Sequence, residues 1–335
     1  MTIDDLTEMD VSQNDLEGNI SVSSKTTCKL ERLIFSCNRF ESELLVALGN
    51  CTNLMFFSAS NNQLSGRIPL ELGLLEKLET PNRFNISLFD SIPLGSLGKE
   101  IGFLGCLKKL NLAANDLSGF ISSELGNCTL LEHLKLSNNL LSGLIPMTID
   151  DLTEMDVSQN DLEGNISVSS KTTCKLERLI FSCNRFESEL LVALGNCTNL
   201  TFFSASNNQL SGRIPLELGL LEKFETPNRF NNILFDSIPL VIYFRNQLVV
   251  LLLGNNMLNG TIPPGLANCS SLKRLVLSHN NLSGLIPEFF VASNLLYIDL
   301  SFNKLNEQIP QTVGNIVNLT MINLSMNKLD GLIPR

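Results

Sequence analysis

The run Leu272-Lys-Arg-Leu-Val-Leu-Ser-His-Asn-Asn-Leu-Ser-Gly-Leu-Ile-Pro287 decides the fold. Its first six residues alternate apolar and polar as a short, half-buried strand does. Leu275 and Leu277 share one side of that strand, and Arg274 and Val276 share the other. Asn280 follows, with an amide that both donates and accepts, suited to backbone groups that a strand end leaves bare. Gly284 permits a turn with positive φ, and Pro287 fixes the next bend. The frame is L-x-x-L-x-L-x-x-N-x-L-x-G-x-I-P.

Working outward, the frame recurs from Leu6 at Leu30, Leu54, Leu78, Leu107, Leu131, Leu152, Leu176, Leu200, Phe224, Leu248, Leu272, Leu295 and Leu319. That predicts fourteen coils, most of them 24 residues apart, with steps of 29 after Leu78, 21 after Leu131 and 23 after Leu272. Thirteen coils keep the asparagine, and only Ile86 breaks the ladder. No coil of this length can bury its own apolar face, so stacking must supply the core. The expected architecture is a right-handed solenoid of the α/β class. Short parallel strands line the concave face, and loops and 3-10 turns line the convex face. At the usual strand spacing, fourteen coils stack to roughly 60–65 Å.

The L-x-G-x-I-P tail resembles the plant-specific leucine-rich repeat, the repeat of receptor-like kinases, receptor-like proteins and polygalacturonase-inhibiting proteins. The resemblance covers essentially the whole chain. It implies a non-catalytic recognition surface outside the cell or at the plasma membrane. The implied partners are a secreted peptide or protein and a co-receptor of the same repeat class. It also implies cysteine-paired caps, and the frame shows none. The N-terminal Met1 matches Met147, inside a repeat, and the chain ends inside another at Leu332-Ile-Pro-Arg335. No signal peptide stands at Met1, so an extracellular origin is expected through a longer secreted or membrane-anchored parent.

Residues 1–94 and 147–240 are nearly the same sequence, offset by 146. They differ only at Met55/Thr201, Leu78/Phe224, Ile86/Asn232 and Ser87/Ile233. The offset equals six coils, as a tandem duplication requires. Two coils, 78–106 and 224–247, are irregular. Pro81 and Pro227 stand where the strand needs a ladder donor. Arg83 and Arg229 fall at inward positions, where an unpaired charge is costly. Repeat decay and a hinge or ligand clamp both account for this pattern.

Composition narrows the function. With 34 acidic and 24 basic residues the chain carries a formal charge of −10, which argues against a nucleic-acid footprint. No stretch approaches the roughly 18 apolar residues of a membrane helix. The two histidines, His133 and His279, lie far apart in the chain, and no phosphate loop, nucleophile elbow or zinc-protease motif occurs. Asp10, Asp156 and Asp299 recur with the repeat, as solvated strand residues would. No catalytic residue, metal or cofactor is expected.

Nine cysteines are present. Cys51, Cys128, Cys197 and Cys269 share the element Asn-Cys-Thr/Ser, where the repeat favours a small buried residue over a bridge. Glycosylation sequons fall at Asn19, Asn50, Asn85, Asn127, Asn165, Asn196, Asn199, Asn259, Asn268, Asn281 and Asn318. A twelfth, Asn323, falls on the strand face, where a glycan would block a ligand.

The outward strand positions form columns, and these hold the candidate ligand-binding residues. Arg178 and Phe202 belong to one stretch. Val250, Leu252, Lys273, Arg274, Val276, His279, Tyr297, Phe302 and Met321 belong to a second. Apolar side chains rimmed by positive charge often mark an interaction site. The leading expectation is a ligand-recognition region resembling a plant receptor ectodomain. The alternatives are a secreted inhibitor of a cell-wall-degrading enzyme and a truncated duplicate without function.

Overall fold

The computed structural model describes residues 5–18, 28–40, 48, 50–58, 86–87, 108–114, 118–147, 149, 151–166, 174–187, 189, 192–220, 231–240, 248–289 and 294–334. They group into two compact units, Met1–Glu163 and Gly164–Arg335.

Each unit is built of parallel strands. In the first, Glu8–Asp10, Arg32–Ile34 and Phe56–Ser58 pair with Glu8, Arg32 and Phe56 in line. Lys109–Asn111, His133–Lys135 and Glu154–Asp156 pair likewise, with Lys109, His133 and Glu154 in line. In the second unit Arg178–Ile180 pairs with Phe202–Ser204. Val250–Leu252, Arg274–Val276, Tyr297–Asp299 and Met321–Asn323 form a four-stranded sheet with Val250, Arg274, Tyr297 and Met321 in line. These are the columns that the frame predicts.

A second set of parallel strands follows the asparagines. It includes Ser118–Phe120 beside Leu140–Gly143, and Ser283–Gly284, Lys304–Gln308 and Lys328–Asp330 in sequence. Coils close through 3-10 turns such as Ser123–Asn127 and Gln311–Asn315, and Pro264–Ala267 makes one short α-turn. The inward leucines are fully buried, for example Leu272, Leu275 and Leu277 at 0% exposure.

The asparagine ladder works as its chemistry suggests. The Asn280 amide donates to Leu253 O of the preceding coil at 2.9 Å and to Leu277 O of its own at 3.1 Å. Its carbonyl accepts from Leu258 N–H at 3.0 Å. Asn38, Asn208, Asn303 and Asn327 repeat this double tie, one preceding-coil carbonyl and one preceding-coil N–H each. Asn62 and Asn115 lie outside the described residues. The turn glycines Gly143, Gly212, Gly260 and Gly284 take φ between +74° and +83°.

Three expectations need correction. The frame puts the fourth coil's strand at 80–82 and reads Ile86 as a broken ladder position. Instead Ile86–Ser87 is itself a strand, with Ile86 opposite Leu110 and Ser87 opposite Asn111. The strand therefore sits five residues later, which restores the 24-residue step to the next coil. The four residues Pro81, Arg83, Pro227 and Arg229 lie outside the described residues.

The cysteines are the second correction. Cys28 is bonded to Cys51, and Cys174 to Cys197, each across 23 residues and with Cα atoms 4.6 and 4.7 Å apart. One coil is nearly the same length, so stacking brings these partners side by side. Cys128 and Cys269 occupy the same frame position as Cys51 and Cys197 but are not disulfide-bonded. The residues 23 earlier are Gly105 and Asn246, which cannot form a bridge. Burial pushes the Cys128 thiol up to about 11.

The third correction concerns Leu252 and Val276, expected to face solvent. They are 3% and 4% exposed. They stand in register with one another and with Asp299, so each is flanked by side chains at strand spacing. In addition, a Val276 methyl leans to within 3.4 Å of the place a Gly254 Cβ would take. A side chain this short, so flanked, is covered although it points outward.

Candidate ligand-binding face

The remaining candidates stay accessible, and the fold pairs them. Arg274 and Tyr297 lie opposite one another on adjacent strands, and the guanidinium sits 4.4 Å above the phenol ring. Arg178 sits in the same way over Phe202, 4.4 Å from its centroid. A guanidinium over a ring face is attracted by the ring quadrupole and is held in one orientation. Lys273 and Arg274 are exposed, while Val250, Tyr297 and Met321 are half-buried.

His279 and Phe302 form the other edge of this face. Their rings stack at 4.0 Å with an interplanar angle of 12°. Phe302 stays 43% exposed, and Met326 in the next coil is 66% exposed. Between the two edges runs a line of small residues, Gly254, Ser278, Ser301 and Ser325. Lys273, Arg274 and His279 supply the basic side chains of the outward positions 249–326, against a single acid, Asp299. The Asp299 carboxylate accepts from Ser301 N–H at 3.1 Å and Ser301 O–H at 2.6 Å, so it pins the strand end. Asp10 and Asp156 do the same for Ser12 and Ser158. Those two bonds from Ser12 hold the Asp10 carboxyl below its ordinary value.

Sequence reasoning missed two features. One is the charged cluster of the first unit. Glu154 there meets His133 Nδ1 at 3.3 Å and Lys135 Nζ at 3.1 Å. The other is a left-handed residue before the ladder asparagine. His279, Phe302 and Met326 have φ of +55°, +52° and +55°, as do Asn138, Asn207 and Asn255 within a degree of +55°. The Asn-Asn pairs at 138–139, 207–208 and 255–256 carried that signal, because asparagine tolerates this conformation. The sequon residues Asn50, Asn127, Asn165, Asn196, Asn199, Asn259, Asn268, Asn281 and Asn318 are all exposed. Asn19 and Asn85 lie outside the described residues.

Family profiles described as leucine rich repeat match residues 270–329, and again 106–128, 130–152, 199–221 and 247–269. The chain is a leucine-rich-repeat protein. Its coils resemble those of plant receptor ectodomains in solved structures. The PEPR1–AtPEP1 complex matches at 27% identity and a TM-score of 0.70, over 99% of this chain and 53% of that one. The ectodomain of the Arabidopsis thaliana receptor kinase GASSHO1/SCHENGEN3, in complex with CASPARIAN STRIP INTEGRITY FACTOR 2, matches at 28% identity and a TM-score of 0.66. That match covers 98% of this chain and 48% of the other. The Arabidopsis receptor kinase HAESA, with the peptide hormone IDA and the co-receptor SERK1, matches at 26% identity and a TM-score of 0.63, over 98% and 67%. This leucine-rich-repeat protein thus spans about half the length of the first two. No curated protein sequence matches it. Among the described residues, no helix is long and apolar enough to cross a membrane.

Proposed function

We propose that this leucine-rich-repeat protein is a non-catalytic, extracellular recognition region that binds a secreted peptide on the strand face of residues 249–326. One observation carries the reading. A chain with a net charge of −10 gives the outward positions of four successive coils to Lys273, Arg274 and His279 beside Tyr297, Phe302 and Met321, with one acid already engaged. Such a face suits an extended ligand that brings negative charge. The likeness to ectodomains solved with peptides supports the class of ligand. It also supports a second receptor of the same repeat class as co-receptor. The two disulfides and the exposed sequons support an oxidising, secretory environment and a glycosylated surface.

The test is panning of a random dodecapeptide phage library on the immobilised full chain and on a Lys273→Ala/Arg274→Ala variant. Peptides should enrich on the wild type and lose most of their binding on the variant. If nothing enriches, or if selected peptides hold the variant equally well, the reading fails.

A further inference from the structure

The left-handed residue before the ladder asparagine varies from coil to coil, with glutamine at 13 and 159, cysteine at 37 and 183, alanine at 114 and histidine at 279. At 138, 207 and 255 it is asparagine, which adopts φ near +55° at little cost. At 302 and 326 it is phenylalanine and methionine, and a bulky side chain there is a conformational outlier. The backbone does not demand these residues. Phe302 N–H donates to Ser325 O at 3.0 Å, the same coil-to-coil bond that Asn255 N–H makes to Ser278 O at 2.9 Å. Nor do they serve the core, since Phe302 is 43% exposed and Met326 66%. Other coils hold small or polar residues in this conformation, so what sets 302 and 326 apart is a large apolar side chain raised into solvent, which points to a use for it.

We propose that His279, Phe302 and Met326 form a subsite for an aromatic side chain of a peptide whose carboxylate lies against Lys273 and Arg274. The inference rests on the peptide-binding reading above and names its ligand class. Three observations support the aromatic end. His279 covers one face of Phe302 at 4.0 Å and fixes the ring, which removes the entropy a ligand would otherwise have to offset. The rim of Phe302 remains open to a further ring in edge or offset contact. Met326 adds a polarizable thioether beside it, a favourable neighbour for an aromatic ring.

The acidic end follows from charge. Asp299 is the one acid among the outward positions here, and its carboxylate already accepts from Ser301, so the face offers Lys273 and Arg274 to an incoming anion. The floor between the two ends is Gly254, Ser278, Ser301 and Ser325, low enough for a backbone to cross. Arg274 and His279 are five residues apart in one coil, at most roughly 18 Å along the chain. A ligand spanning them therefore separates its ring and its carboxylate by about four residues.

The experiment uses two phage libraries on the full chain. One fixes Tyr and Asp with four random residues between them, and the other replaces only the Tyr with Ala. The Tyr library should enrich about tenfold over the Ala library. Its selected peptides should lose binding on Phe302→Asn and Met326→Asn. Because asparagine is the unstrained residue in this conformation, both variants should melt at or above the wild type, which separates lost contact from lost fold. Equal enrichment from both libraries, or full retention on Phe302→Asn, overturns the subsite and leaves the peptide reading intact. If neither these libraries nor the random one enriches, both fall together.

Discussion

In residues 1–94 the Glu8 carboxylate meets Arg32 at 2.8 Å. Its counterpart Glu154 meets His133 and Lys135 of the preceding coil, and the counterpart arginine, Arg178, lies over Phe202. The sequences around these groups are the same. Beneath the face the copies agree closely. Phe35 packs edge-on against Phe40 and Phe57 at 5.7 and 5.4 Å, and Phe181 does so against Phe186 and Phe203 at 5.4 and 5.6 Å. Ser36 and Ser58 hydroxyls meet at 2.6 Å, and those of Ser182 and Ser204 at 2.5 Å. The interior of a coil is thus written in its own residues. Its face depends on what stacks beside it: Glu8 is 62% exposed and Glu154 only 16%.

The irregular coil makes the same point more strongly. Ile86 and Asn232 hold the same place in the two copies. Asn232 is a ladder residue, accepting from Leu210 N–H and donating to Ala205 O, each at 2.9 Å. Ile86 can do neither, and it joins a strand against Leu110. The following coil begins 29 residues after Leu78 but 24 after Phe224, so only the first copy has chain to spare.

The comparison can be broken at several levels. Phe203→Ala and Phe57→Ala should each cost about 3–5 kcal/mol in chemical denaturation, because both rings are fully buried in matching clusters. Unequal losses would show that the copies differ beneath the face after all. Removing either bridge, by Cys51→Ala or Cys197→Ala, should cost about 3 kcal/mol for a loop of this length. Under reducing conditions the two variants should match the wild type more closely.

Asn232→Ile imports the first copy's residue. It leaves Leu210 N–H without its partner and Ala205 O with the Asn208 amide alone, and should cost about 2 kcal/mol. Faster amide exchange at Leu210 is the direct readout. Glu307→Gly should stabilise by about 1 kcal/mol, since glutamate at φ +65° fills a place that glycine holds in most coils. Asp236→Gly, at φ +71°, should gain nothing. That substitution also removes the ion pair to Arg213 at 2.7 Å and the bond from Ser237 N–H. The smallest effect concerns Asp10. Its carboxyl lies below the ordinary 3.8 when folded, so its contribution is complete at neutral pH. It fades only as acid protonates the folded carboxyl, and an acid titration of Asp10→Asn should show less of this loss than the wild type.

Much of this was legible in the sequence because the frame repeats. Leu275 and Leu277 inward, Arg274 and Tyr297 in line, and Asn280 as a double tie follow from period and chemistry alone. What the frame could not show depends on neighbours one coil away. Leu252 and Val276 point outward and are still covered. Cys28 and Cys51 look unrelated until a 23-residue separation is recognised as one coil. The stacking of His279 on Phe302 needed the left-handed backbone that raises both side chains at the same height.

The asparagine ladder has a consequence for how such a molecule can change. Each rung asks of the coil before it one carbonyl and one N–H at a fixed height, and nothing of its side chains. Any coil that presents those two backbone groups is an acceptable predecessor, whatever its face recognises. A block of six coils can then be copied into the chain without a new junction having to evolve, and a faulty coil such as the one around Ile86 stays a local fault. The same indifference leaves the outward positions free to drift toward new ligands while the stack keeps its form.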